Sequence, residues 1–552
     1  MDKKITNIYI GATSMRTCLG DKLQTIRQMH HGVCGLNYNS TYSMYAGVAD
    51  VSIVNGYTRF ESMMIEQIEG IITQSGISLN SKDVQIVLST TKGNVELLAD
   101  DCKNISERAF IYYSAKVISE YFGCANSPIV VSNACISGVS AFVIAKELIN
   151  SGKYKHIIVA GGDVLSEFIT AGFASFKSIS SKPCRPYDAE RDGLNLGEAA
   201  AAVLLTTDVN YADNAYIELM GGAISNDANH ISGPSKTGDG LFYAIRNAIS
   251  EAGVSANDVG FVNTHGTATR YNDEMESKGV AWAKLSDKPL NSFKGYIGHT
   301  LGASGVVETI LCIEQLKQGY IFGTMGFVSS DTPHVLSISA QQQTIAKKCC
   351  VKTASGFGGC NAAIVLSMGL RVQYTNIAKR ESEIIAEYTL PQSDTPFAEF
   401  IRSEFKTFGE SNMKFYKMSD MSKALYVAVE NLLSQKGLED IDPTRRAIIL
   451  ANKASSLDAD IVHQQILNQR LPEGASPAAF VYTLANVAAG EMCIRHKIQG
   501  ENTFFIEDKD SGFIEEYSQR LIETNRADIV IYGWCDYLNN KWNVHVKLLK
   551  VK

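Results

Sequence analysis

Twelve cysteines are spread over 552 residues without one Cys-x-x-Cys pair, and the only close pair, Cys349 and Cys350, is adjacent in sequence. Two adjacent cysteines cannot both ligate one metal in the usual loop geometry, so no metal site is expected. The thiols are expected to be free, in a reducing compartment. Runs of five or six like charges are also missing. With 51 basic and 58 acidic residues, a net charge of −7, a nucleic-acid polyanion or an anionic membrane is a poor main partner. Tyr121 to Ala145 has no charged residue. Asn126, Pro128, Ser132 and Asn133 interrupt it, so it reads as buried strand, turn and helix rather than a membrane span. The apolar run Ile8 to Ile10 near the amino terminus is too short for a signal-peptide core. The protein is expected in the cytoplasm.

What is present is an ordinary globular composition, 45% hydrophobic, 9% aromatic and 20% charged, which excludes a disordered scaffold. At about 150 residues per domain the length allows three or four units. β-Branched runs at Ile8–Gly11, Val84–Ser89, Ile129–Ser132, His156–Ala160 and Ala202–Leu205 alternate with helix-period stretches at Ser62–Ser75 and Ser137–Asn150. That alternation predicts α/β layers. A second α/β set follows from Tyr216, with strands at Val259–Thr264 and Ala363–Ser367. Gly161-Gly162, Gly221-Gly222 and Gly358-Gly359 are expected at sharp turns at strand ends. Residues 1–215 and 216–370 thus form the two halves of one body, and 371–420, polar and carrying Pro391 and Pro396, reads as a linker.

From Met421 the first pattern returns. Ala424–Gly437, Arg446–Ala451, Phe480–Lys497, Thr503–Ile506, Gly512–Glu523 and Ile529–Gly533 echo, in order, Met63–Gly76, Val84–Ser89, Phe110–Gly123, Ile129–Ser132, Gly138–Ser151 and Ile157–Gly161. Residues 421–552 therefore look like a copy of the first half, with no copy of the second. Aligning Ser511-Gly512 with Ser137-Gly138 sets Lys509 opposite Cys135, in a charged Glu-Asp-Lys-Asp stretch.

Cys135 lies in Ser132-Asn-Ala-Cys-Ile-Ser-Gly138, where a strand leads through a small-residue turn into a helix. A thiol at a helix amino terminus is favoured as a thiolate and can serve as a nucleophile. A buried structural thiol fits the same turn equally well. Two histidine loops shift the balance. His265, in Asn263-Thr-His-Gly-Thr-Ala-Thr269, follows an apolar strand, and His299, in Lys294-Gly-Tyr-Ile-Gly-His-Thr-Leu-Gly-Ala-Ser-Gly305, sits in a second glycine-rich loop. One such histidine is more often a satisfied structural residue. Two, with a cysteine at a strand-to-helix turn, suit a nucleophile served by hydrogen-bond donors.

These motifs resemble the β-ketoacyl-acyl-carrier-protein synthases of the thiolase superfamily, from the amino terminus to about Gly369. The resemblance rests on the turn at Cys135, His265 with Asp273 and Glu276 following, Lys294 with His299, and Glu308, which stands 14 residues after Lys294. Cys184-Arg-Pro-Tyr-Asp188, Arg191-Asp-Gly193, Gly197-Glu198, Asn226–His230 and Gly356-Phe-Gly-Gly359 complete it. It implies a thiolase-like layered α-β-α-β-α fold with duplicated halves, plus the appended α/β half-repeat. It implies acyl transfer to Cys135 and decarboxylative condensation with malonyl-carrier protein, with His265 and His299 stabilising the enolate and backbone N–H groups of Cys135 and Phe357 forming the oxyanion hole. Lys294 and Glu308 match a buried ion pair and Phe357 a gate. Ser355 stands where a second phenylalanine is usual, Cys360 where threonine is usual, and Ile136 is bulkier than common.

The resemblance further implies an acyl carrier protein as partner, carrier-borne phosphopantetheine thioesters as substrates, no cofactor, and a homodimer paired edge to edge. The 421–552 copy resembles half of a non-catalytic chain-length-factor-like protein, and a separate ketosynthase-like subunit is a further possible partner. Its presence leans the expectation towards a polyketide or polyene, including aryl polyene, route rather than primary fatty-acid elongation. The alternatives are a thiolase-like coenzyme A acyltransferase, with Cys360 as second cysteine, and a non-catalytic scaffold subunit.

Overall fold

A computed structural model of the chain describes residues 7–99, 102, 104–369, 379–409, 412–470 and 474–552. In the first half, β1 (Tyr9–Thr17), β2 (Val84–Ser89), β3 (Ile129–Val131), β4 (His156–Asp163) and β5 (Ala199–Thr206) form one sheet in the order β1-β5-β4-β2-β3. In the second half, β6 (Ile217–Asn226), β7 (Phe261–Asn263), β8 (Pro289–Asn291), β9 (Ser337–Ile338), β10 (Cys349–Gly356) and β11 (Cys360–Met368) form another, β6-β11-β10-β7-β8-β9. The inner five strands of each repeat the same directions, two antiparallel steps followed by parallel ones.

The carboxyl-terminal region contributes β12 (Ser382–Thr389), β13 (Arg446–Asn452), β14 (Asn502–Ile506), β15 (Ile529–Leu538) and β16 (Lys541–Val551). They run β14-β13-β15-β16-β12, the first half's order in mirror sequence. β14 then pairs antiparallel with β3, Phe505 opposite Val131 and Ile506 opposite Val130. Ten strands thus make one continuous sheet with a pseudo-two-fold axis at the β3·β14 seam. Asn133 extends the seam past the short ladder: its Oδ1 accepts from Phe504 N at 2.8 Å and its Nδ2 donates to Asn502 O at 3.2 Å.

This arrangement corrects two expectations. The stretch 371–420 is not a connector, because β12 closes the outer edge as β1 does in the first half, and helix Phe397–Thr407 packs Phe397, Phe400, Ile401 and Phe405 into the core. Residues 371–378, 410 and 411 of the expected linker, like residues 1–6, lie outside those described. A homodimer pairing catalytic bodies through the β3 edge is also excluded, since β14 of the same chain fills that edge.

Four helices set the layers: α1 (Arg59–Ser75), α2 (Ser137–Ser151), α3 (Asp239–Glu251) and α4 (Ser304–Gln318). α1 starts at a Thr58–Glu61 capping box and stops at Gly76 in the left-handed region, φ 70°. It covers the outer face of the ten-stranded sheet, and α3 covers the outer face of the second. Between the two sheets lie α2 and α4, packed through Val139, Phe142, Val306 and Ile310 against Val159, Val203, Ile364 and Leu366. Residues Ala134–Ser151 are apolar and long enough to cross a membrane, yet 89% of the segment is buried here as a core helix.

Gly138 and Gly305 let α2 and α4 cross closely: a Cβ on Gly138 would meet Gly305 Cα at 2.8 Å, and one on Gly305 would meet Gly138 Cα at 2.8 Å. The crossing brings the starts of both helices, and the turns that precede them, to one point. Two of the three glycine pairs depart from expectation, Gly161-Gly162 lying within β4 and Gly221-Gly222 within β6. The latter pair lies at a register shift, where α3 presses on the strand and a Cβ on Gly221 would meet Ala252 N at 2.7 Å.

Candidate active site

At the α2 start, Ala134 takes a left-handed backbone, φ 47°, so the chain reverses tightly before Cys135. Ser137 staples the turn, its hydroxyl accepting from Asn133 N at 2.8 Å and donating to Ala134 O at 2.6 Å. The α4 start repeats the device, with Leu301 at φ 53° and Ser304 bonded to Thr300 N at 3.1 Å. His299 hangs on this second turn. His265 follows β7 and is fixed from behind by Glu276, whose carboxylate accepts from His265 N at 2.8 Å and Gly266 N at 2.7 Å.

Three elements distant in sequence therefore converge. Cys135 Sγ and one ring nitrogen each from His265 and His299 lie within 4.8 Å of one another, and all three residues are buried. The two rings stand edge to face, centroids 4.9 Å apart. Their hydrogen bonds decide the tautomers. His265 Nδ1 faces the Lys294 ammonium at 3.3 Å, and His299 Nδ1 accepts from Leu301 N at 3.3 Å and faces Ser304 Oγ at 3.1 Å. With Nδ1 an acceptor in each ring, the proton of the neutral imidazole sits on Nε2. His299 Nε2 is buried without a partner, a donor aimed at whatever occupies the site.

Behind the histidines, Lys294 Nζ donates to His265 O at 2.5 Å and to Glu308 Oε1 at 2.7 Å. The other oxygen of Glu308 takes Lys352 Nζ, and all three charged groups are buried. In this cluster two lysines share one carboxylate. Burial pushes the Glu308 carboxyl up, but Lys294 and Lys352 hold it below its ordinary value. His265 and His299 are held well below the usual histidine value, first by burial and then by Lys294. For Cys135 burial dominates as well: it pushes the thiol up to about 12, against the opposing pull of Lys294 and of the N–H groups of Cys135 and Phe357 that face the sulfur. The resting group is a thiol, which reverses the expectation of a helix-stabilised thiolate.

Phe357 leads the glycine loop between β10 and β11 and packs against Phe173 and Phe176, centroids 6.1 and 5.3 Å away. The Asn226–His230 segment holds this loop, Asn226 Nδ2 donating to Gly358 O at 2.9 Å and Asp227 N to Gly359 O at 2.7 Å. The Ser355 hydroxyl donates to Asn361 Oδ1 across the hairpin at 2.8 Å. Ile136 is fully buried in the core between the sheets. Cys360 Sγ sits 3.2 Å from Phe357 O and 3.7 Å from Asn133 O. The remaining motif acids are braces: Asp273 accepts from Tyr187 N at 2.7 Å, and Glu198 from Ala49 N at 2.9 Å. Lys509 lies in an exposed turn.

Residues 60–210 match the family model of the β-ketoacyl synthase N-terminal domain, and residues 216–328 that of the C-terminal domain. Residues 60–328 thus carry the two domains of the β-ketoacyl synthase family. Over 256 residues the chain is 34% identical to 3-oxoacyl-[acyl-carrier-protein] synthase 2 of Rhizobium meliloti, a match covering 43% of this chain and 59% of the relative. The chain thus spans less than two thirds of that curated relative's length. Among solved structures, a PfaC keto synthase–chain length factor aligns over 99% of this chain and 78% of its own, with TM-score 0.82 and 15% identity. The ketosynthase ApeO in complex with its chain length factor ApeC, from Xenorhabdus doucetiae, aligns over 66% of this chain and 98% of its own, with TM-score 0.59 and 24% identity. Both likenesses are of fold. The first extends through the carboxyl-terminal half-copy.

The sequence-predicted residues Cys135, His265, His299, Lys294, Glu308 and Phe357 all reach one site. Three others at the site carry no motif. Lys352 is a lone charge in the apolar strand β10, which was its only signal. Asp163 ends β4 and gathers Thr90 Oγ at 2.8 Å, Thr91 N at 3.0 Å and Gly302 N at 2.7 Å, tying the His299 turn to the first sheet. Asn486 comes from the half-copy, and nothing in its own segment points to the site.

Proposed function

We propose that the protein is a β-ketoacyl-acyl-carrier-protein synthase performing decarboxylative condensation at Cys135. The observation that carries this reading is the pair of neutral histidines, each with its proton on Nε2, beside a buried thiol and backed by the Lys294–Glu308–Lys352 cluster. The Cys135 sulfur attacks the thioester carbonyl of an acyl-carrier protein. The N–H groups of Cys135 and Phe357 hold the oxyanion, and the carrier's thiol leaves with the proton that Cys135 gave up. When a malonyl thioester then loses carbon dioxide, the C–C electron pair passes into an enolate. His265 and His299 donate to its oxygen as charge develops, worth about 3–4 kcal/mol per donor. The enolate carbon attacks the Cys135 thioester, a C–C bond forms, the C–S bond breaks, and the sulfur regains a proton.

The half-copy then acts as a built-in counterpart of a chain-length-factor-like partner, a reading supported by its place on the β3 edge and by the absence of a nucleophile at Lys509. The test uses malonyl-carrier protein and an acyl-carrier protein. Carbon dioxide release with a mass-detected acyl group on Cys135 is expected; Cys135→Ala should lose acylation, and Cys135→Gln should keep or raise decarboxylation. Turnover of acyl-coenzyme A without carbon dioxide would favour the thiolase reading, and condensation by the alanine variant would remove Cys135 as the nucleophile.

A further inference from the structure

The half-copy reaches the gate through helix Asn486–His496. Asn486 is 3% exposed, and its Nδ2 donates to Phe357 O at 2.8 Å and lies 3.6 Å from Cys360 Sγ. One turn later, on the same helix face, Gly490 lies against the loop so closely that a Cβ there would meet Gly358 O at 2.7 Å and Gly358 Cα at 2.9 Å. The approach is tight from the other side too, since a Cβ on Gly358 would meet Asn486 Nδ2 at 2.6 Å. Phe357 is thereby held at both ends of its own residue: the N–H faces the Cys135 sulfur, and the carbonyl is tied to Asn486. Aromatic packing extends the clamp, because Phe173, which packs on Phe357, also packs on Phe480 of the half-copy at 5.3 Å.

From this geometry we infer that Asn486 is a positioning residue for the active site: its amide clamps the Phe357–Gly359 loop, fixing the oxyanion-hole N–H of Phe357 and the position of the gate, so that the half-copy completes the catalytic centre. The inference rests on the reading under Proposed function for its turnover readout only. Asn486 touches no reacting atom and acts through Phe357. Its Nδ2 also donates to Cys360 Sγ at 3.6 Å, while its Oδ1 has no partner. Both acceptors belong to the gate hairpin, and the shorter bond, to Phe357 O at 2.8 Å, is the one that holds the loop.

Asn486→Asp tests the clamp in the full chain, because it keeps the shape of the side chain while replacing the donor with an oxygen that repels the Phe357 carbonyl. Two quantities are read. The first is the rate of Cys135 alkylation by iodoacetamide, followed by peptide mass mapping, which needs no turnover. The second is the kcat against KM of condensation. The expected result is a severalfold faster alkylation of Cys135, together with a roughly tenfold lower kcat at little-changed KM, since a small misplacement of an oxyanion donor is costly. Should the aspartate variant fail to fold, Asn486→Ala reads the same two quantities without the added charge. Alkylation and kcat at wild-type levels in a folded variant would overturn the clamp. A wild-type protein that releases no carbon dioxide from malonyl-carrier protein would sink the condensation reading and leave the alkylation test of the clamp standing.

Discussion

A histidine held below 6.5 in the folded protein stays neutral where an exposed one would charge, and both catalytic candidates are in that state. The unfolded chain binds those protons first, so this pair contributes stability that is present above pH 6.5 and is lost as pH falls below it. Decarboxylation should therefore show no inflection near pH 6.5; a measured loss of carbon dioxide release centred there would mean that a ring is solvated. Replacing either histidine by alanine should cut decarboxylation by about 10²–10³-fold while acylation of Cys135 falls far less. Equal losses in both half-reactions would make one histidine the activator of the thiol instead. The thiol itself, pushed to about 12, should alkylate faster by roughly tenfold per pH unit between pH 7 and 9 with no plateau. A plateau near neutrality would show that the helix start does yield a thiolate.

Pairs of elements bring these side chains into register. Cys135 and His299 each stand just before a helix, and the two helices meet at Gly138 and Gly305 with backbone against backbone. Gly305→Ala puts a methyl where Gly138 Cα lies 2.8 Å away, so the helices must separate. Overpacking of this kind costs about 1–3 kcal/mol. Denaturant unfolding should register that loss, and condensation should fall more than stability alone explains, because the separation also moves the sulfur from the imidazoles. An alanine variant with unchanged stability and rate would show that the crossing has slack. Glu308 and its two lysines form the other rigid unit behind the histidines, and the sequence disclosed only one of the lysines. Lys352 lies 44 residues from Glu308, and the packing of α4 against β10 brings it there.

Across the whole molecule, one chain supplies both sides of the β3·β14 seam. Besides the β3·β14 ladder, ion pairs cross the seam, Arg526 to Glu147 at 3.4 Å and Arg520 to Glu147 at 3.6 Å, flanked by Arg526–Glu501 at 3.0 Å within the half-copy and Lys146–Glu251 at 2.8 Å within the catalytic body. Unpaired, these groups would be costly to bury, so the seam is specific to this half-copy. Removing residues 379–552 bares the β3 edge and the apolar faces beneath the half-copy. The truncated chain is expected to aggregate or to self-associate, while the full chain should not pair through that edge. Sedimentation of both distinguishes them; a truncated chain that stays monodisperse, soluble and as stable as the full one would show that the half-copy covers nothing essential.

By itself the sequence determined the features that local chemistry dictates. Strand and helix periods, the order of the repeat, the turn at Cys135 and the two histidine loops are each set by a few consecutive residues, and all of them appear where the pattern put them. Tertiary structure decided whatever depends on residues far apart. Asn133 meets Phe504 across 371 positions, and no local pattern announces such a bond. Strand β12 passed for linker because it is an edge strand with an exposed face, so its apolar alternation is weak. The protonation of Cys135 depends on how completely distant elements exclude water from it, which overrode the local signal of a helix start. Whether the open sheet edge would meet a second copy or the chain's own end was likewise a question of long-range pairing, and β14 answers it by lying down on β3.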